Sequence, residues 1–208
     1  MAEITAITPQ VKDKTRCNIY VDGRFYCGLT LETTVRNRLK VGQTIDENKL
    51  AALQFESEKE TALDKALTHI TATQKTEKQI REFLAGKGFL PPVIDYVVEK
   101  MRGYNFINDE EYAAEYARFA SRKKGGKLIK MELRAKGIAD EAIEAAIDGL
   151  DEDAEENAAR DALEKYLRGK ERNAVTFQKA YRYLLGKGFS YDAAKKALAE
   201  FTDMDDET

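Results

Sequence analysis

The sequence has few of the side chains from which catalytic and metal sites are usually built. His69 is the only histidine among 208 residues, and Cys17 and Cys27 are the only cysteines. A single histidine excludes a multi-histidine metal site and most triad arrangements. His69 adjoins the apolar Ile70 in a helical pattern, which favours a packing or surface role. We therefore predict a protein that is not an enzyme and that needs no cofactor and no metal.

Long hydrophobic runs are also absent. No apolar stretch approaches the length that crosses a membrane, and the N-terminus lacks the basic and then apolar layout of a signal peptide. We expect a soluble cytoplasmic protein. If Asp22-Gly23 is a two-residue hairpin turn, the register places Cys17 and Cys27 on opposite faces of the hairpin. That arrangement disfavours a disulfide and agrees with a reducing compartment.

One short phrase occurs three times, at nearly equal intervals along the chain. The copies are Leu84-Ala-Gly-Lys-Gly88-Phe89, Leu133-Arg-Ala-Lys-Gly137-Ile138 and Leu184-Leu-Gly-Lys-Gly188-Phe189. Each phrase predicts a helix C-terminus, with the last glycine at positive φ just past the cap. The apolar residue that follows then folds back onto the leucine, as in a Schellman motif. A cap is strongly favoured over a phosphate-binding loop, because no strand precedes the phrase and no Ser or Thr follows its Gly-Lys.

The flanks of the phrase repeat as well, with the apolar spacing of one helical face. Two offsets from the glycine, one before it and one after it, are apolar in all three copies: Ile80, Ile129 and Ala180, and then Ile94, Ile143 and Ala194. A helix therefore ends at each glycine and another begins shortly after it. The fold class that this predicts is mainly α, with three tandem three-helix repeats forming an elongated arc. The predicted boundaries are 57–103, 104–150 and 151–202, followed by an acidic disordered tail at 203–208.

The segment at 1–56 predicts a small module of a β-hairpin and helices. Alternating segments at 4–7, 17–21 and 24–27 read as strands, with Asp22-Gly23 as the hairpin turn. Helical patterns follow at 31–40 and 46–55. The tetrapeptide Thr44-Ile-Asp-Glu47 resembles a capping box for the second of these helices.

The chain carries a net charge of −3, but one run contains no acid. The run consists of Arg122, Lys123, Lys124, Lys127 and Lys130. It straddles Gly125-Gly126, a pair that lets another backbone approach closely, so we predict a partner-binding site there. A solvated face remains the alternative.

A second group of candidates lies on the last repeat. Tyr181 and Tyr183 are two residues apart on a helix, so one of them should be exposed. Tyr181 and Arg182 therefore join the predicted partner-binding residues. A further basic stretch comprises Lys165, Arg168, Lys170 and Arg172, and Lys187 lies within the last glycine phrase.

The order of these features resembles the RecX regulatory proteins of bacteria. The resemblance rests on the Leu-x-x-Lys-Gly-Phe/Ile endings and on the bridging phrase Gly103-Tyr-Asn-Phe-Ile-Asn-Asp-Glu-Glu-Tyr112. It covers about residues 57–201, and the hairpin with its Val21-Asp-Gly-Arg-Phe25 turn resembles the extension of longer members. Basic character is associated with that family, whereas this chain is mildly acidic.

The resemblance implies a monomeric modulator, usually an inhibitor, of the RecA recombinase in DNA repair and recombination. Such a protein lies in the groove of the RecA–DNA filament, where it can meet DNA, and depresses ATP hydrolysis and strand exchange. Two other readings of the chain stay open. One is a direct DNA-binding helical module, which the net charge disfavours. The other is a non-enzymatic scaffold for protein partners.

Overall fold

The computed structural model describes residues 2–11, 13–151 and 153–206, with side chains as far as 201. The strands are β1 (Ala2–Pro9), β2 (Arg16–Val21), β3 (Arg24–Thr30) and β4 (Thr44–Ile45). The helices are α1 (Leu31–Arg36), α2 (Glu47–Ile70), α3 (Glu77–Gly86), α4 (Pro91–Gly103), α5 (Asp109–Ala120), α6 (Gly126–Ala135), α7 (Asp140–Asp148), α8 (Ala154–Leu167), α9 (Ala174–Gly186) and α10 (Tyr191–Asp206). The mainly helical fold, with a small N-terminal strand module, confirms the prediction of a mainly α protein.

The chain folds into two compact units. The first comprises residues 1–75 and 80–107, and the second comprises residues 76–79 and 108–208. Across the described part of the chain, no helix combines the length and the apolar character needed to span a membrane.

The strands of the first unit form one antiparallel sheet in the order β3-β2-β1-β4. The predicted turn is present, and Asp22 and Gly23 both have positive φ. A bulge between Ile19 and Tyr20 then shifts the register, so that Cys27 faces Ile19 rather than Asn18. The prediction that the two cysteines point to opposite faces is therefore wrong. Cys17 and Cys27 are both buried in the core under the sheet, as free thiols.

Helix α2 runs without interruption from the sheet into the first helical repeat. Its predicted end near residue 55 is wrong, because no glycine or proline breaks the helix before Ile70. Leu50 lies in the core under the sheet, whereas Ala62 lies in the core of the first repeat. The predicted capping box is also wrong, since Thr44 belongs to β4 and Asp46 accepts the capping hydrogen bonds.

Helix α1 ends earlier than predicted, at Arg36 rather than near residue 40. The chain leaves the helix through Arg38, which has a positive φ of 50°. At the other end of the chain, α10 continues to Asp206, so it extends into the segment for which we predicted an acidic disordered tail. Residues 207 and 208, the rest of that predicted tail, lie outside the described residues.

A buried carboxyl lies halfway along α2, between the two cores that the helix joins. Glu58 is 8% exposed, and its Oε1 lies 3.6 Å from Arg16 Nη2 and 3.4 Å from Gln54 Nε2. Its Oε2 is buried and has no hydrogen-bond partner among the described residues. Burial raises the pKa of Glu58 above its ordinary value of 4.5, against the lowering effects of Gln54 and Arg16. The fold therefore favours the neutral acid.

We expect Glu58→Gln to stabilise the protein at pH 8 by about 1 kcal/mol, because it replaces a carboxylate whose charged form burial disfavours by a neutral side chain of the same shape. With a raised pKa, the stability that the carboxyl contributes is fully present below about pH 4.5 and is lost as the pH rises through the folded-state pKa. The increase in stability caused by Glu58→Gln should therefore be smaller at pH 5 than at pH 8. Thermal melts of the variant and of the unaltered protein at both pH values measure this increase, with Glu60→Gln as the exposed control on the same helix. An equal shift at both pH values would contradict the prediction.

The three repeats end their middle helices in the same way, as predicted. Gly88, Gly137 and Gly188 have φ of 86°, 87° and 85°. In each, the following residue donates its backbone N–H to the leucine carbonyl five positions back, at 3.2, 3.2 and 3.3 Å. These are the bonds of a Schellman motif. The predicted apolar positions are buried, and each repeat has a core of its own.

Candidate functional site

The glycine pair inside the basic run contacts the chain's own backbone. Gly125 N donates to Lys187 O at 3.0 Å, and Lys127 N donates to Gly188 O at 3.2 Å. A Cβ on Gly125 would lie 2.2 Å from both Gly188 O and Phe189 N. The close approach that the sequence suggested is therefore made by the glycine turn of the third repeat, within the second unit.

A carboxylate reinforces this junction between the second and third repeats. Glu155 Oε1 accepts from Gly126 N at 3.4 Å and from Ser190 N at 3.1 Å. These donors lie at the N-termini of α6 and α10, where free N–H groups and the helix dipole favour a negative charge. The contacts position the turn at residues 121–125 against the start of α10.

Three cations of the run have partners within the chain. Lys124 Nζ lies 2.6 and 2.8 Å from the two Glu132 oxygens, and Lys130 forms an ion pair with Glu144. Lys127 Nζ lies 4.5 Å from the centre of the Tyr191 ring. The run contains no acid in sequence, but in the folded chain carboxylates of α6 and α7 form ion pairs with two of its lysines.

The Lys124 ion pair belongs to a half-buried polar cluster. Tyr116 donates its hydroxyl to Glu132 Oε2 at 2.7 Å. Burial alone would raise the pKa of Glu132, but the hydrogen bonds from Lys124 and Tyr116 hold it below its ordinary value. Burial, together with the hydrogen bond to Glu132, raises the pKa of Tyr116 to about 12. Lys124 thus has a structural task in addition to any role at the surface.

The other two cations of the run, Arg122 and Lys123, face lysines from the third repeat. Together with Lys165 of α8 and Lys187 at the end of α9, they line a cavity of about 330 Å³. Among the described residues that line it, Asp161 is the one carboxylate. Within the described residues, none of the four cations is held in an ion pair. We call this site the basic pocket.

One aromatic side chain lines the basic pocket, and a second one stacks on it. Tyr183 lines the pocket, and its ring stacks on that of Tyr166 with the centroids 4.6 Å apart. Lys187 Nζ lies 5.6 Å from the centre of the Tyr183 ring, and Lys170 Nζ lies 3.2 Å from that of Tyr166. Cations beside π-faces suit anionic ligands that also carry planar groups.

The remaining predicted residues lie elsewhere on α9. Tyr181 and Tyr183 are both half-buried and pack against the third core, so the prediction that one of them is exposed is wrong. Arg182 is exposed but does not line the basic pocket. The sequence identifies Lys165 and Lys187 as basic residues but does not predict that they belong to the same site as Arg122. No local signal connects them to Arg122, because they belong to a different repeat and meet it only through the stacking of repeats.

The arrangement can bind an anion by charge and stacking. Where the structure describes the chain, it contains no group of three or more His, Cys, Asp or Glu side chains that could hold a metal ion. His69 stacks on Phe83 with the ring centroids 3.9 Å apart, which is a packing role.

Four family models match successive segments of the chain, and all four describe RecX. The N-terminal domain of regulatory protein RecX matches residues 2–46, and the first, second and third three-helix domains match 62–101, 108–147 and 153–198. The matched segments contain the strand module and all three glycine phrases.

Similar proteins carry the same name. A regulatory protein RecX from Clostridium beijerinckii is 32% identical over 99% of this chain and 100% of its own length. One from Bacillus subtilis is 30% identical over 100% of this chain and 80% of its own length. A crystal structure of regulatory protein RecX aligns with a TM-score of 0.65 at 28% identity, covering 94% of this chain and 98% of the other. The structure of RecX from Lactobacillus salivarius gives a TM-score of 0.63 at 26% identity, over 69% and 96%. The chain belongs to the RecX family of regulatory proteins.

Proposed function

We propose that this protein binds the RecA–DNA filament and lowers its ATP hydrolysis and strand exchange. The observation that carries the proposal is membership of the RecX family along nearly the whole chain, including all three helical repeats. The regulatory names of the relatives support a protein that binds and does not catalyse. We expect it to act in the cytoplasm as a monomer, without a cofactor.

The basic pocket supports this proposal in chemical terms. A recombinase filament on DNA presents phosphates. The cations of the basic pocket have no ion-pair partner among the described residues, so they can bind these phosphates: Arg122, Lys123, Lys165 and Lys187. Stacked tyrosines beside these cations also suit unpaired bases. Contact with DNA inside the filament is therefore part of the proposal.

The second candidate function is direct binding of nucleic acid without the recombinase. The same pocket favours it, because cations and aromatic rings lie together there. The net charge of −3 opposes it, since the affinity of nucleic-acid-binding proteins comes mostly from neutralised phosphates. We therefore favour binding to the recombinase filament over direct binding to nucleic acid.

Titration of the protein into the cognate recombinase on single-stranded DNA tests the function. We expect the rate of DNA-dependent ATP hydrolysis to fall at ratios well below one protein per recombinase subunit. Bare DNA binding is measured in parallel, without recombinase. An unchanged rate at equimolar protein, on a filament shown to be active, would refute the proposal, and tight binding to bare DNA alone would favour the second candidate.

A further inference from the structure

A larger groove lies in the second unit, between α5 and α8. Its volume is about 860 Å³, and it is bounded by α5, the end of α7 and the first turns of α8. Small side chains form much of its lining, including Ala114, Ala145, Ala146, Ala154 and Ala158. Alanines leave room for another backbone to come close, as at contacts between packed helices. We call this feature the α5–α8 groove.

Charged residues line the α5–α8 groove in an ordered way. On α5 and just beyond it, Glu111, Glu115, Arg118 and Arg122 follow at helical spacing, which places them on one face. The carboxylates come first along the helix, and Glu111 and Arg118 are separated by about 10 Å along its axis. Asp151 and Asp161 contribute two more carboxylates. The groove thus has an acidic excess and a basic end.

Within the described residues, these charged side chains have no ion-pair partner, in contrast to many others of the same unit. Elsewhere in the second unit, ion pairs join Lys124 to Glu132, Lys130 to Glu144, Arg134 to Asp140, Arg160 to Glu200 and Lys196 to Glu156. Among the residues that the structure describes, the six charged side chains of the groove take part in no ion pair. All six are exposed. Their partners are therefore to be sought outside the chain.

An exposed aromatic ring lies next to the basic end. Phe119 is 71% exposed, while the buried face of α5 consists of Ala113, Ala117 and Ala120. The ring borders a small cavity that it shares with Glu115, Arg118 and Arg122. Aromatic and arginine side chains placed together are typical of the residues that dominate binding energy at protein interfaces.

We propose that the α5–α8 groove is the docking site for a helix of a protein partner. That helix has small and aliphatic side chains on the face that meets the alanines. Lysine or arginine side chains on it pair with Glu111 and Glu115, and an acidic side chain reaches Arg118. This is recognition of a helix in a groove, with orientation set by charge.

The charges of the groove favour a protein helix over nucleic acid. Four carboxylates against two guanidinium groups repel a phosphate backbone, whereas a helix with both signs of charge satisfies them. The inference rests on the proposed function, since the partner helix then belongs to the recombinase filament. The groove and the basic pocket share Arg122, Ala158 and Asp161, so one partner assembly can occupy both.

Variants confined to the groove test this inference by their affinity for preformed recombinase filament. Ala145→Trp fills the groove from an exposed position, and Ala174→Trp on α9 is its control outside the groove. Glu111→Lys with Glu115→Lys reverses the acidic end. Its control is Glu110→Lys, which has the same kind of charge change on a neighbouring residue of α5, outside the lining. Thermal melts establish that each variant is folded.

We expect both groove variants to bind filament at least tenfold more weakly, while both controls stay within twofold of the unaltered protein. A further charge reversal tests the basic end: Arg118→Glu should also weaken binding, with no effect on the affinity for bare single-stranded DNA. Folded groove variants that bind filament like the controls would overturn the inference and leave the proposed function standing. If the unaltered protein itself neither binds filament nor slows ATP hydrolysis, the proposed function fails with it.

Discussion

Replacing Gly125 by alanine is expected to lower the free energy of unfolding of the second unit by at least about 3 kcal/mol. The added Cβ would lie 2.2 Å from Gly188 O and from Phe189 N and 2.3 Å from Gly188 C. Those atoms are backbone, so the overlap can be relieved only by separating the second and third repeats. Separation would also break the bonds from Gly125 N to Lys187 O and from Lys127 N to Gly188 O.

The neighbouring glycine provides the matched control. At Gly126 the nearest atom to an added Cβ is Ile147 Cγ2 at 3.8 Å, which is an ordinary contact. Gly126 is the first residue of α6, where alanine suits the backbone. We expect Gly126→Ala to leave stability unchanged or to raise it by about 0.5 kcal/mol. Urea unfolding of both variants measures the contrast, and equal midpoints would show that the repeats do not meet at Gly125.

The Schellman glycines Gly88 and Gly188 should also differ in how much stability is lost when each is replaced by alanine. Alanine at any of them is strained by a positive φ, at a cost of about 1 kcal/mol. Around Gly88 the added Cβ meets nothing within 4 Å, whereas at Gly188 it meets Leu128 N at 2.4 Å. We therefore expect Gly188→Ala to lower the free energy of unfolding clearly more than Gly88→Ala, as measured by urea unfolding. The sequence, which shows the same phrase at both places, would predict equal losses.

The second large effect concerns the basic pocket. We expect the combination of Lys123→Ala, Lys165→Ala and Lys187→Ala to weaken binding to preformed recombinase filament at least tenfold at low salt. The variant removes three cations that form no ion pair with any described residue, so fewer counterions are exchanged on binding. The slope of log affinity against log salt should become shallower by up to about 2. Stability should change by less than about 1 kcal/mol, because no core side chain is altered.

The control removes three exposed lysines that do not line the pocket: Lys49, Lys65 and Lys195. Lys124 is left in place in both sets, because its loss would leave Glu132 half-buried without its cation. Loss of binding to filament alone would indicate contact with protein, and loss on bare single-stranded DNA as well would indicate contact with phosphates. Equal affinities of the two triple variants would show that the pocket is only a solvated surface.

The features that the sequence determined are those whose causes lie within a short stretch of chain. A Schellman ending needs a glycine at positive φ and an apolar residue beside it, and both requirements are met inside each copy of the phrase. The N-caps at Asn108 and Ser190 follow from equally local chemistry, and their side chains accept from Glu111 N and Ala193 N. Repetition of these signals with the apolar spacing made the three helical repeats predictable.

Predictions that extrapolated strand register or helix length from a nearby turn or cap were wrong for Cys27 and for α2. The hairpin turn at Asp22-Gly23 was correct, but one bulged residue beyond it reversed the face assigned to Cys27. Because side chains alternate between the two faces of a strand, one inserted residue moves every side chain beyond it to the opposite face. Similarly, two helical patterns joined into α2, because cores on both sides stabilise a helix that nothing in its own sequence interrupts.

The binding surfaces were decided by tertiary structure. The run at 122–130 is uniform in sequence, yet packing pairs Lys124 and Lys130 with acids, whereas Arg122 and Lys123 have no ion-pair partner in the part of the chain that the structure describes. Stacking of the repeats then brings Lys165 and Lys187 to those two residues. The charged side chains of the α5–α8 groove are likewise candidates for partner contacts because they form no ion pair among the described residues, which only the tertiary structure shows. Local chemistry determines where a helix ends, whereas the neighbours of an exposed charge depend on contacts between segments far apart in the chain.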